Sequence, residues 1–596
     1  MGDSTFMFKR TLCLLAFAVA FLPSTSAFNQ TPANVIVEHN VAMKTRDGVT
    51  LYADVYRPAG AESLPVLLTR TPYDKNGGAA FGSMGALRGF MVVVQDVRGR
   101  YTSEGEWYPF KHEIEDGYDT VEWAAALPHS NGKVGMFSGS YVGATQMLAA
   151  IAHPPHLAGI CPIVTASNYH ENWTYQGGAL EQWFDESWTS GLVQDTANRA
   201  FRQATNALVG STVLPLNQYP VLNLKPESGA NLTHELAPYF IDWLAHPDYD
   251  SYWKQWSIEE NYANIQVPAL VIAAWYDIFQ GGSLRNYLGI RAHGGTEAAR
   301  SGTQLVVAIG GHSGSGRRVG RVDFGPDAAF DENAITLDWY DYLFKGKQNE
   351  FANGKPVKIF VMGENKWRDE AGWPLERAQQ TVYYLHSGGK ANSAAGNGGL
   401  STEAAKNEAA DNYVYDPGNP VPTIGGPLCC DSGHLPAGPL DQEGVEARSD
   451  VLVYTTPPLA EDTEVTGPVT LDLFAKSSAV DTDFAGKLVD VAPDGTAINL
   501  TEGILRARYR ESMSEPKLIE PGKVYEYKID LWSTSNVFMK GHRIRVEVSS
   551  SNFPRFDRNL NTGNSAAESA DFVKATNTVL HDAKHPSALI LPVITP

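Results

Sequence analysis

The chain has 596 residues, 43% of them hydrophobic and 19% charged, and its 67 Asp plus Glu outnumber its 47 Lys plus Arg for a net charge of -20. That length exceeds what one hydrophobic core supports, so two or three domains are expected. So acidic a chain, without a Lys/Arg cluster, excludes nucleic acid as its partner.

Lys9 and Arg10 precede an apolar run from Thr11 to Leu22, and Thr25 and Ala27 are small. That pattern predicts a signal peptide over residues 1–27, cut after Ala27, and hence a secreted or periplasmic protein. The run is short for a membrane span. Gln203 to Leu224 is uncharged, but Asn206, Pro215, Asn217, Gln218 and Pro220 break it, so no span is expected after signal removal. The mature chain keeps Cys161, Cys429 and Cys430, which is no disulfide framework. Adjacent cysteines make a strained pair, so Cys429 and Cys430 are expected to be buried singly or to pair elsewhere. No C-x-x-C or H-E-x-x-H occurs, so neither metal nor cofactor is expected.

In chain order, Val35 to Pro58 has a β pattern with a turn at Asp47-Gly48, and short apolar strands are predicted at 65–70 and 89–94. Helical spacing covers Asp116 to Leu127. The stretch Lys133-Val134-Gly135-Met136-Phe137-Ser138-Gly139-Ser140-Tyr141-Val142-Gly143 then runs from an apolar strand into an Ala-rich helix ending near His153. A serine among small residues at so tight a turn is what a nucleophile elbow requires. It departs from G-x-S-x-G twice: Ser138 replaces the leading glycine, and Gly143 comes one place late. Leu157 to Val164 holds one more short apolar run. Short apolar runs alternating with helices predict a mostly parallel sheet covered on both faces.

Residues 165–260 carry many aromatics at helical spacing, among them Trp173, Tyr175, Trp183, Phe184 and Trp188, and read as a helical cap. The strand pattern resumes at Val267 to Ala274, ending in Trp275-Tyr276-Asp277, and at Gln304 to Ile309, ending in Gly310-Gly311-His312. A helix near 334–344 closes the region. Beyond residue 355 helices become scarce, 387–412 reads as a surface loop, and short strands predict a β-sandwich or jelly roll. The expected division is thus 28–164 and 261–355 for the sheet domain, 165–260 for the cap and 356–596 for the β domain.

Ser140, Asp277 and His312 each follow a buried-looking strand, in the chain order Ser, Asp, His of hydrolase sheets. In an open parallel sheet such strand ends share one edge. There His312 can take the serine proton while Asp277 orients the imidazole. Tyr141 offers a backbone N–H to the oxyanion. Tyr73 offers either a phenolic O–H or an aromatic core plug.

The stretches TPYDK, QDVRGRYTSEG, GMFSGSYVG, AAWYD with GGSLR, GGHSG, DTDFAGKLVDVAPDG, ILRARYR and SSSNFPRFDRNLNTG together resemble the X-Pro dipeptidyl-peptidase and cocaine-esterase-like hydrolase family. That family includes the alpha-amino acid ester hydrolases and glutaryl-cephalosporanic acid acylases. The resemblance implies an α/β class chain, with an α/β-hydrolase sheet, a helical cap and a C-terminal β jelly-roll (galactose-binding-like) domain. It also implies Ser140 as nucleophile, His312 as base, Asp277 as orienter, and Tyr73 and Tyr141 as oxyanion donors. Amino acid ester hydrolases hold the substrate ammonium with carboxylates, whereas Phe279 and Gln280 here are uncharged, which argues against ammonium recognition at that place. Glu181, Asp185 and Glu186 on the cap could substitute there, although acids on a cap helix are more often solvated. Trp173, Tyr175, Trp183, Trp275 and Phe279 suggest an apolar or aromatic acyl pocket.

The expected function is a secreted serine hydrolase acting on a small-molecule ester or amide, or on a short peptide. An X-Pro exopeptidase stays open, as does a binding protein that uses the β domain. A homo-oligomer is equally open, because an exposed apolar face cannot be told from core in the sequence.

Overall fold

The structure is a computed structural model and describes residues 34–205, 236–312, 314–564, 567 and 569–595. The signal-peptide expectation lies outside these residues, as does most of Gln203 to Leu224. Among the described residues no helix is long and apolar enough to cross a membrane.

Ten strands of the first sheet lie side by side in the order Val35–Lys44, Thr50–Pro58, Met91–Asp96, Leu64–Thr71, Ser130–Gly139, Leu157–Ile163, Leu270–Tyr276, Gln304–Gly311, Val357–Val361, Lys366–Glu370. From Met91–Asp96 to Val357–Val361 all neighbours are parallel, and only the edges are antiparallel. Met91–Asp96, Leu64–Thr71 and Leu270–Tyr276 are buried along their whole length. Helices cover both faces, so these strands read as unbroken apolar runs. Pro162 fits inside its strand, opposite Ser138. The sheet also runs past the expected boundary at 355: Val357–Val361 pairs in parallel with the strand that carries His312. The apolar VKIFV run is continuous with the hydrolase core, and the β domain starts after Glu370.

The cap holds a hairpin at Tyr175–Gln176 and Ala179–Leu180, the long helix Gln182–Thr205 and the helix Pro238–Ala245. Phe184, Trp188, Tyr239 and Trp243 pack into the same core cluster as the sheet, so the cap is seated on it.

The C-terminal region is an antiparallel β-sandwich built on Thr463–Ser477, which pairs with Tyr525–Phe538 and Ala588–Ile594. Leu471, Leu488, Ile529 and Val546 are buried between its layers. Ala497–Arg506, Ala575–Asp582 and Ala588–Ile594 are strands that the sequence pattern did not reveal. In the first of these, Asn499, Thr501 and Glu502 are buried beside Leu500 and Ile504, so the apolar/polar alternation of a half-exposed strand is missing.

The domains interlock. Across the seam the Met362 N–H donates to Ser535 O at 3.0 Å, and Met362 O accepts from the Val537 N–H at 2.9 Å. Leu180 and Asp557 bind each other's backbone N–H, each at 2.9 Å. A Cβ at Gly177, whose φ is 56°, would lie 1.9 Å from the Ile504 carbonyl oxygen, so this close approach of cap and sandwich requires glycine.

Candidate active site

Ser140 stands between the elbow strand Ser130–Gly139 and the elbow helix Tyr141–Ile151, with φ 62° and ψ −133°. That conformation is costly for a side chain with a Cβ and is tolerated where the surroundings hold it. Here its N–H donates to Ile163 O at 2.9 Å, and its carbonyl accepts from Gly143 and Ala144 N–H at 2.9 and 3.1 Å. The late glycine has a packing reason: a Cβ at Gly143 would lie 2.8 Å from Thr165 Cβ. Ser138, where the motif carries glycine, has φ 102°, a region few L-residues enter. Its carbonyl is held by Gln146 Nε2 at 2.8 Å. Ser138→Gly is therefore expected to raise stability by about 1 kcal/mol, the relief of strain less glycine's extra chain entropy. Urea denaturation followed by tryptophan fluorescence checks this, and a lower midpoint would refute it.

His312, directly after Gln304–Gly311, reaches Ser140 Oγ with Nε2 at 2.8 Å and Asp277 Oδ2 with Nδ1 at 2.6 Å. Asp277 is fully buried, and its other oxygen accepts the Phe279 N–H at 2.7 Å. One carboxylate thus has one job per oxygen. A silent sheet, the premise of the binding-protein reading, would hold these three groups apart.

The Tyr141 N–H opens the elbow helix, where a backbone donor has no acceptor inside the helix. The Tyr141 ring anchors that position: its hydroxyl donates to Glu113 Oε1 at 3.0 Å and accepts from Phe110 N–H at 2.8 Å. Arg70 in turn holds Glu113 at 2.6 Å. Tyr73 follows Leu64–Thr71 through Pro72, whose carbonyl is fixed by Arg100 Nε at 2.9 Å. The Tyr73 hydroxyl accepts from Trp188 Nε1 at 2.9 Å. It also lies near Ser140. Although 39% of Tyr73 is exposed, its hydroxyl end is enclosed, and burial there raises the phenol above its ordinary range. The phenol keeps its proton near neutrality and can donate it.

Of the expected pocket residues the structure brings two to the site. Trp173 stacks on Phe279 with ring centres 4.6 Å apart, and Phe279 meets the His312 ring edge-on at 5.1 Å. Three others lie elsewhere. Tyr175 is cap core, stacked on His170 and bonded to Trp243 O at 2.9 Å. Trp275 donates to Phe360 O at 2.7 Å and packs on Trp373, because alternation along its strand turns it away from the Asp277 edge. Trp183 sits on the seam to the β domain, its backbone N–H on Pro554 O at 3.0 Å. Trp188 takes its place at the site. Phe184 and Trp188 lie four apart on one helix face, and that spacing is the signal that could have found Trp188.

Three further expectations change. Gln280 is buried and exchanges hydrogen bonds with the Ser533 backbone, at 2.5 Å to its carbonyl and 3.2 Å from its N–H, so it rivets domains instead of facing substrate. The cap acids are not solvated: Glu181, Asp185 and Glu186 are 1%, 0% and 4% exposed, because this helix end lies under the β domain. Burial raises the Asp185 carboxyl well above its ordinary range, helped by Glu181 and Glu186. Cys429 and Cys430 are bonded to each other, and the buried Cys161 is free.

A serine, a histidine and an aspartate joined by hydrogen bonds at the C-terminal edge of this sheet define a serine hydrolase of α/β-hydrolase type. Residues 47–314 match the family model of the X-Pro dipeptidyl-peptidase (S15 family), and residues 349–590 that of the X-Pro dipeptidyl-peptidase C-terminal non-catalytic domain. The chain is 40% identical to the cocaine esterase of Rhodococcus sp. (strain MB1 Bresler) over 589 residues, which cover 94% of this chain and 99% of that one. An aminopeptidase from the marine sediment archaeon Thaumarchaeota archaeon has a similar structure, at TM-score 0.80 and 27% identity, covering 100% of this chain and 99% of the other. An alpha-amino acid ester hydrolase does too, at TM-score 0.79 and 26% identity, covering 96% and 100%. The chain belongs to the X-Pro dipeptidyl-peptidase (S15) family of serine hydrolases.

Proposed function

We propose that this protein is a secreted esterase that cleaves carboxylic esters, and more slowly acyl amides, through an acyl-enzyme on Ser140. The observation that carries the substrate class is the aromatic cluster packed beside the triad, with Trp188 on Tyr73 and the buried Trp173–Phe279 stack edge-on to His312, an apolar surround that favours an uncharged aromatic or bulky acyl group. In this reading His312 Nε2 takes the Ser140 proton as Oγ attacks the carbonyl carbon, and Asp277 stabilises the imidazolium. The oxyanion is met by the Tyr141 N–H and the Tyr73 O–H. His312 returns the proton to the departing alcohol, and a water, activated by the same nitrogen, releases the acid. The 40% identity to a cocaine esterase supports an ester substrate, and the basic and apolar pattern of Lys9 to Leu22 supports secretion.

A free-amine substrate has less support. Gln280 is committed to Ser533, and the buried Asp185 is held toward its neutral form, which attracts an ammonium weakly. The test is a hydrolysis panel on protein starting at Phe28: p-nitrophenyl esters with aliphatic and aromatic acyl groups, an X-Pro anilide, an α-amino acid ester and a glutaryl amide. Aromatic esters are expected to lead, with all turnover lost in Ser140→Ala. A preference for the X-Pro anilide would replace the esterase reading by the exopeptidase one. Turnover surviving in Ser140→Ala would remove the nucleophile assignment itself.

A further inference from the structure

The β domain sends one loop to the active-site edge. Gly426 and Gly438 exchange backbone hydrogen bonds at 2.8 and 2.9 Å, so residues 427–437 stand out as a pinched loop of the Ω type. The loop is pressed onto the segment after His312. Arg321 N–H donates to Pro439 O at 3.0 Å, and a Cβ at Gly438, whose φ is 98°, would lie 2.9 Å from Gly320 N. Between loop and segment runs a cleft of about 370 Å³, lined on one side by Gly311, His312 and Arg318 and on the other by Cys429, Cys430 and Leu435. Cys429 is buried and Cys430 exposed, with their Cα atoms 3.7 Å apart.

This cleft meets the site only at its histidine. Trp173, Trp188 and Phe279 do not line it, so the cleft lies apart from the aromatic cluster beside the triad. The nitrogen that takes the Ser140 proton must hand it to the leaving group. The departing alcohol therefore lies against His312, and the space that continues from His312 is this cleft.

We propose that the Cys429–Cys430 disulfide is the specificity-determining wall of the leaving-group half of the substrate site, and that its reduction relaxes the choice of alcohol. The proposal rests on Ser140 and His312 acting as nucleophile and base. Joined sulfurs of adjacent residues form one small ring that presents a fixed, polarizable surface to the cleft. Two free thiols rotate independently and no longer hold the loop tip in one shape. A dithiol such as dithiothreitol supplies both electrons. One of its thiolates attacks the exposed Cys430 sulfur and displaces the Cys429 thiolate. Its second thiol then closes on the mixed disulfide, leaving two protein thiols and cyclic oxidised dithiol.

The experiment uses the mature protein with and without dithiothreitol, and the Cys429→Ala/Cys430→Ala variant. Two ester series are run: one acyl group on alcohols of rising bulk, and one alcohol on acyl groups of rising bulk. Thiol titration after denaturation should find Cys161 alone before reduction and all of Cys161, Cys429 and Cys430 after it. Reduction and the double variant should each shift the bulky-to-small kcat/KM ratio of the alcohol series by about 10-fold, the order one methylene is worth in a tight pocket, and that of the acyl series by less than about 2-fold. The variant should not respond to reductant. Cys161 cannot mimic the effect, since burial pushes its thiol up to about 12. Equal shifts in both series, no shift in either, or free thiols at all three cysteines before reduction would overturn the proposal. Should the variant fail to fold, the reductant arm on the native chain decides alone. Turnover of either series by Ser140→Ala would instead mark failure of the catalytic reading beneath it.

Discussion

Asp277→Asn is expected to lower kcat on the best ester of the panel by about 10⁴-fold while leaving KM nearly unchanged. The reason is the division of labour between its two oxygens. Oδ1 accepts the Phe279 N–H at 2.7 Å, and Oδ2 faces His312 Nδ1 at 2.6 Å. Asparagine can satisfy Phe279 only with its carbonyl oxygen, which turns the NH₂ toward His312. Nδ1 must then accept, the ring proton moves to Nε2, and that nitrogen, 2.8 Å from Ser140 Oγ, no longer takes the serine proton. Flipping the amide would set its NH₂ against the Phe279 N–H instead. Neither arrangement moves the aromatic cluster beside the triad, hence the unchanged KM. A fall of less than about tenfold would mean that Asp277 does not set the tautomer, and that the serine proton leaves by another route.

The second large effect is structural and lies where cap and sandwich meet. Arg555 is fully buried, with Nη1 on Glu502 at 2.6 Å, Nη2 on Glu181 at 3.2 Å and on Gln176 at 2.9 Å. Its guanidinium also lies 4.5 Å from the Phe556 ring centre. Burial outweighs even this partner at Glu181, whose carboxyl is pushed up to about 7. Arg555→Met keeps much of the volume but leaves Glu181 buried without its counter-charge and Glu502 with only Lys487, 3.9 Å away. Breaking a buried pair from one side costs about 3–5 kcal/mol, more than the net worth of the pair. We expect a matching loss in urea denaturation and faster proteolysis at the cap seam. Adding Glu181→Gln to Arg555→Met should recover part of it, because the stranded acid is then gone. If Arg555→Met unfolds at the parent's urea concentration, the seam is held by packing and backbone bonds, and the ionic network carries no stability.

These two sites differ in how far they could be read without coordinates. Ser140, Asp277 and His312 were legible because each follows an apolar run, and a parallel sheet gathers the ends of such runs on one edge whatever the loops between them do. The parallel core of the sheet, the cap's position and the β character of the last third follow from the same periodicities. The pairing of elements on which Arg555 depends left no local trace. Glu181 and Arg555 are 374 positions apart, and a charged residue on a helix looks solvated until another domain covers it.

The same limit explains the other departures. Trp275 and Trp173 are equally aromatic, and only the direction of each side chain decides that Phe360 takes one while Phe279 stacks on the other. Gln280 follows Asp277 closely in sequence, yet the sandwich behind it claims both ends of its amide. Val357–Val361 is as apolar as a sandwich strand, and its parallel neighbour alone assigns it to the hydrolase sheet. The sequence by itself determined most elements of the parallel sheet and the edge where Ser140, Asp277 and His312 meet, since these rest on local periodicity. Which aromatics line the site, which acids are buried, and that a β-domain loop with bonded cysteines walls the cleft beside His312, were decided only by tertiary packing, because burial and pairing are properties of segments brought together, not of either segment alone.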